Sequence, residues 1–166
     1  MIEAERRDAL RRALHGELAS WEGLPERCTP EDFAALSTGS SPPGLGRLAG
    51  VSAAFRDYGG HPGLLRVWFD EAEQAILVWV DHPRLSRDSA AVLGELGEAD
   101  VRLEGRPSRI PGTTQWVWGR RGVTAYVDWA GEIRGFALFA PATSDYYLKA
   151  LGGSEGVPYR PRRAVE

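Results

Sequence analysis

The chain has 166 residues, a net charge of −3 and 43% hydrophobic residues. That length suits one domain with a sizeable core, and the apolar fraction excludes an intrinsically disordered chain. The near-balanced charge argues against general attraction to nucleic acid, and a lone cysteine, Cys28, excludes an internal disulfide.

The first residues, Met1-Ile2-Glu3-Ala4-Glu5-Arg6-Arg7-Asp8, are charged and lack the apolar segment of a signal peptide. The longest apolar run, Ala75 to Val80, is too short to cross a bilayer. With one cysteine besides, a cytoplasmic protein without membrane contact is expected. Residues 2–21 have helical spacing: Ile2, Ala9, Leu10, Ala13, Leu14, Leu18 and Trp21 fall near one stripe, with Arg6, Arg7, Arg11 and Arg12 opposite as a solvated face. Thr29-Pro30-Glu31-Asp32 starts a short helix reaching about Leu36, with a capping residue, proline at the first turn and acids at the positive end of the dipole. Ser37 to Gly46 breaks any periodicity and is expected as a loop.

Strands are predicted over Val51–Tyr58, Leu64–Phe69 and Ala75–Val80, the last two joined by a hairpin at Asp70-Glu71-Ala72-Glu73-Gln74. Asp81-His82-Pro83 ends that run. A third helix is predicted over 87–96, stopping at Gly97. Asp100–Glu104 is a strand, and Gly105 to Thr113 a loop holding two prolines. Gln115–Trp118, Val123–Trp129 and Ile133–Ala140 are three strands whose short Gly-bearing links require antiparallel neighbours. A terminal helix over Ser144–Leu151 and a loose tail over 156–166 complete the chain. The expected fold is α+β: a curved antiparallel meander with helices packed on one face, in a single domain 1–166. Two sub-repeats, 29–83 and 86–141, are suggested by the match of Phe69-Asp70-Glu71-Ala72-Glu73-Gln74 to Val127-Asp128-Trp129-Ala130-Gly131-Glu132, about 58 residues on.

The succession Leu96-Gly97-Glu98-Ala99-Asp100, Trp116-Val117-Trp118, Val123-Thr124-Ala125-Tyr126-Val127-Asp128 and Gly131-Glu132-Ile133 resembles the helix-plus-meander unit of the β-lactamase inhibitory protein and of small outer-membrane-assembly lipoproteins. The resemblance covers about 86–140, and more faintly 29–80. It implies a concave sheet whose aromatic residues grip a protein; no individual contact residue is carried over.

Catalytic patterns are sparse. His61-Pro62-Gly63 and Asp81-His82-Pro83 lie at strand ends, where a His–Asp pair serves as a general base in enzymes, and Cys28 precedes a helix cap, a position that lowers thiol pKa. No His-x-x-x-His or Cys-x-x-Cys spacing is present, so no metal is expected. Gly44-Leu45-Gly46 neither follows a strand nor opens a long helix, so no dinucleotide cofactor is expected either.

The aromatic surplus decides the reading. Alternation puts Trp116 and Trp118 on one face, and separates Val123, Ala125, Val127 and Trp129 from Thr124, Tyr126 and Asp128. In the last strand Ile133, Gly135, Ala137 and Phe139 oppose Arg134, Phe136, Leu138 and Ala140, so both faces carry apolar bulk. Either helices and tail cover the two faces, or one face is an aromatic platform rimmed by arginines. On the second view Trp68, Trp79, Trp116, Trp118, Tyr126, Arg120, Arg121 and Arg134 bind a protein partner, most concretely as an immunity or inhibitor-type protein facing a toxin or effector. The alternatives are a small enzyme or apolar-ligand binder using His61, Asp81, His82 and Cys28, and a subunit of a larger assembly.

Overall fold

The computed structural model describes residues 2–22, 24, 28–48, 51–61, 63–104 and 108–147. Its elements are α1 (Glu3–Leu14), α2 (Pro30–Ala35), β1 (Gly39–Ser40), β2 (Gly44–Leu48), β3 (Val51–Gly59), β4 (Leu65–Phe69), β5 (Ala75–Asp81), α3 (Ser89–Leu96), β6 (Val101–Leu103), β7 (Thr113–Trp118), β8 (Val123–Asp128), β9 (Ile133–Phe139) and the single turn α4 (Ser144–Tyr147). All strands join one open antiparallel sheet in the order β1-β3-β4-β5-β9-β8-β7-β6, with β2 also paired to β3. The α+β meander expected from the sequence is what the chain forms.

The meanders β3-β4-β5 and β7-β8-β9 meet where β5 pairs with β9. Residues 58 apart take equivalent places across that seam. Trp79 faces Ala137, and the pairs Val78–Leu138 and Leu77–Phe139 are mirrored by Val80–Phe136 and Asp81–Gly135. The β4–β5 ladder shifts register between Trp68 and Phe69, and the β8–β9 ladder shifts at the matching step, Tyr126 to Val127. The hairpins coincide as well. Asp70 accepts from the amides of Ala72 and Gln74, and Asp128 from those of Ala130 and Glu132, all at 2.9 Å. Such aspartate turns fix the hairpin from its own backbone.

α1, α2 and α3 cover one sheet face. Leu10, Ala13, Leu14, Trp21, Phe33, Val92 and Leu96 bury themselves against Val67, Val78, Val80, Val123, Ala125, Phe136 and Leu138. The other face has its own core of Trp68, Leu77, Trp79, Leu103, Val117, Tyr126, Ala137 and Phe139, onto which Tyr147 of α4 and Ile110 pack.

Several boundaries differ from the sequence expectation by a residue or two, β7 for instance starting at Thr113 and not Gln115, and three differences matter more. The N-terminal helix stops at Leu14, not 21: Gly16 takes φ +100 and Leu18–Trp21 winds on as a 3-10 turn. The glycine provides a left-handed exit that other residues enter at a cost. The 37–46 stretch is not a plain loop, because β1 and β2 lie in or across it. β8 ends at Asp128, which places Trp129 in the turn. The predicted helix over Ser144–Leu151 is described only to Tyr147; its remainder and the 156–166 tail lie outside the described residues.

Candidate functional site

The eight residues predicted to bind a partner do not form one exposed platform. Trp68, Trp79 and Tyr126 lie on the second sheet face and are buried, at 3%, 8% and 1% exposure. Trp118 lies on the helix side, also buried, and its indole donates to the Gly97 carbonyl at 3.1 Å. Trp116 shares that side but is half-buried, with the Arg102 guanidinium 3.7 Å above its ring. Strand alternation, with β6 to β9 and β4 to β5 each in fixed register, is what splits the aromatics between two cores. Of the arginines, Arg120 is exposed, Arg121 reaches Glu22 at 3.2 Å and Arg134 reaches Asp128 at 2.7 Å.

The alternative set is partnered locally. His61 Nε2 lies 3.2 Å from Ser37 Oγ, and that hydroxyl donates to the Phe33 carbonyl at 2.8 Å. Because the single hydroxyl proton is committed to Phe33, the ring must be the donor to Ser37, the reverse of what an activated serine requires. Burial, and secondarily the field of His15, lowers the His61 pKa. His82 takes φ +55 and sets its Nδ1 2.9 Å from Asp81 Oδ1. The Cys28 thiol is fully buried and contacts the Leu24 carbonyl; burial pushes its pKa up to about 12, against the nucleophilic thiolate. Among the described residues, no group of three or more His, Cys, Asp or Glu side chains is placed to hold a metal ion.

The structure draws attention instead to the β8–β9 hairpin. Trp129 is 95% exposed at its tip. Beside it a cleft of about 260 Å³ opens at the sheet corner, lined by Arg102, Glu104, Thr114, Trp116, Val127, Asp128 and Trp129 among others. Its floor, Trp116 and Val127, belongs to the helix-side face, and Arg102 pairs across from Trp116 on the adjoining edge strand. The Asp128 carboxylate, held by the Glu132 amide and by Arg134, has its pKa lowered and stays charged at the rim. The turn closes entirely through Asp128 and backbone groups, so the Trp129 ring has no part in building it. The sequence did carry a signal for this residue. In the equivalent turn 58 positions earlier, the matching place is Glu71, the solvent-facing type a turn tip ordinarily takes.

Two of the predicted residues, Trp116 and Arg134, thus fall at this corner; Arg134 arrives through Asp128. No family profile, curated protein or solved structure matches the chain. Among the described residues, no helix is long and apolar enough to cross a membrane.

Proposed function

We propose that this chain is a non-enzymatic protein-binding module of the immunity or inhibitor type, acting in the cytosol. It docks a cognate protein through the corner made by Trp129 and the Trp116–Arg102 stack. The observation that carries this reading is the 95% exposure of Trp129 on a hairpin fixed by its own hydrogen bonds. Tryptophan and arginine are the types that dominate interface energetics, and a rigid anchor loses little entropy on docking. A tryptophan held in water by a turn that does not need it is otherwise an exposed apolar surface without return. The helix-plus-meander unit of β-lactamase inhibitory protein, which the sequence resembles, implies a grip by the sheet face; with the aromatics of both faces packed in cores, this reading places the grip at the sheet corner instead.

The test is a photo-crosslinking residue at position 129 in producing cells, beside the same residue at Ala90, an exposed position on α3. A discrete adduct at 129, absent at 90, is expected. In the purified complex Trp129→Ala then weakens binding at least tenfold, which corresponds to about 1.4 kcal/mol. Its melting temperature stays within a degree or two of the parent. Equal labelling at the two positions overturns the reading.

A further inference from the structure

The two ends of the sheet are built differently. β6 forms one end; it is three residues long, and its Arg102, like Glu104 just past it, is charged and exposed. Short, charged strands keep foreign strands off a sheet edge. At the opposite end β1 and β2 lie along the outer side of β3, and β2 pairs with no described strand beyond it. β2 is five residues long, Gly44-Leu45-Gly46-Arg47-Leu48.

The direction of the β2 backbone groups follows from β3. The Asp57 N–H donates to Ser41 Oγ at 3.0 Å, and its C=O accepts from the Ser41 N–H at 2.8 Å. Alternation turns the same groups of Phe55 and Ala53 to this side too, where their partners in register are Gly44 and Gly46. The N–H and C=O of Leu45, between those two glycines, therefore point away from the sheet. Its side chain is 79% exposed, and among the described residues no other large apolar side chain within a strand is exposed. On the second face the Phe55 and Trp68 rings lie against Gly44 and Gly46, where a Cβ would come within 2.7 and 2.8 Å of them. An incoming strand meets outward backbone groups, a bare leucine on one face and aromatic rings on the other.

We infer that β2 is a pairing edge whose occupant is β2 of a second copy, added antiparallel about a two-fold axis at Leu45. In that register each Leu45 N–H donates to the Leu45 C=O of the other copy, and the two exposed side chains lie face to face. Gly44 meets Gly46 of the second copy on either side of the axis, so no side chain holds the backbones apart. Pro42 and Pro43, which have no N–H, end the ladder just before Gly44. The choice of a second copy follows from the unlike ends of the sheet. Pairing β2 with β6 would string copies into a fibre, which the short charged β6 opposes; pairing β2 with β2 uses the open edge and closes at two. A ladder this short buries far less than a stable complex needs, which puts the dissociation constant on the order of 10–100 µM. β2 and the Trp129 corner lie at opposite ends of the sheet, so the pairing stands or falls independently of partner docking.

The experiment is sedimentation velocity on the full-length protein over a dilution series bracketing that range, where a monomer–dimer equilibrium is expected. Leu45→Asp sets two carboxylates against each other across the axis, and Leu45→Pro removes the outward N–H. Each should weaken dimerisation at least tenfold, while Trp129→Ala leaves it unchanged. Register is read with Leu45→Cys under mild oxidation, since directly paired residues of an antiparallel ladder stand about 5.5 Å apart, within disulfide reach. Its intermolecular disulfide should form at least tenfold faster than that of Ala90→Cys, at an exposed position on α3. Monomer mass throughout the series, assemblies larger than two, a dimer indifferent to Leu45→Asp or lost with Trp129→Ala, or equal crosslinking rates at 45 and 90 each overturn the inference. Should Leu45→Pro fail to fold, Leu45→Asp, which changes only an exposed side chain, decides by the same criteria.

Discussion

Asp32 ties the N-terminal helix to the rest of the fold through bonds that leave its side chain no exposed surface. Arg6 donates to both its oxygens at 3.1 and 2.9 Å, Arg7 adds a bond at 3.0 Å, and the Thr29 amide another at 3.0 Å. Burial alone would raise its pKa, but the hydrogen bonds from Arg6, Thr29 and Arg7 outweigh that and lower it. Asp32→Ala should therefore cost about 3 kcal/mol at pH 7 by urea denaturation, the low end for a broken buried pair because both arginines keep some water. A depressed carboxylate stabilises the fold above its unfolded pKa near 3.9, and the benefit is lost as pH falls through the folded value. The gap between variant and parent should accordingly close in strong acid. A loss under 1 kcal/mol at pH 7 would show that α1 is held by packing alone. His61 works in the opposite sense: its lowered pKa makes the folded state resist protonation, so stability declines as pH drops below about 6.5 toward the folded value. His61→Gln should flatten stability between pH 7 and 5. The sequence showed Asp32 as a dipole acid and Arg6 and Arg7 as a solvated face. Their union spans 26 and 25 positions, and no local pattern reports a contact at that distance.

At the level of the element, the two hairpins share their hydrogen bonds and differ in the residue at one strained place. Glu73 takes φ +60 and its counterpart Gly131 φ +82, both in the left-handed region. A Cβ at Gly131 would meet nothing within 4 Å, so Gly131→Ala tests backbone strain and nothing else. It should destabilise by about 1 kcal/mol, the usual penalty for a side chain in that conformation. Glu73→Gly should return part of that amount to the first hairpin, less the extra entropy a glycine gives the unfolded chain. Paired thermal melts decide it: a neutral Gly131→Ala would mean the turn shifts at no cost. Strands and hairpins were legible because alternation and turn chemistry are local. β2 was not, and its physical reason is visible. Cβ atoms at Gly44 and Gly46 would run into the rings of Phe55 and Trp68, so the strand needs the very glycines that make it resemble a loop. The tip of the second hairpin went unremarked for a related cause. Trp129 continues the strand's alternating pattern in sequence, but the Asp128 turn takes it out of the ladder.

Across the whole molecule, the seam between β5 and β9 carries two like meanders, yet the core does not respect it. The helix-side cluster runs without a break from Tyr58, Leu65 and Val67 in the first meander to Val123, Ala125 and Leu138 in the second, and α1 and α3 rest on it together. Burial of one continuous apolar surface makes the cost of opening either half include the exposure of the other. The chain should therefore unfold in one transition despite its two-part geometry. Val67→Ala and Val123→Ala, both at fully buried sites in different meanders, discriminate the cases. Each should lower stability by roughly 1 to 3 kcal/mol through lost burial and a cavity. Far-UV circular dichroism and tryptophan fluorescence should move together by the same amount in both variants. Two separable phases, each shifted by only one of the substitutions, would instead mean that the halves are energetically independent. In that event the Trp129 corner, which is built from β6, β7 and the β8–β9 turn and takes nothing from the first meander, should keep its partner affinity when the first meander is weakened by Val67→Ala. In the single-unit case affinity and stability fall together once the folded population is depleted.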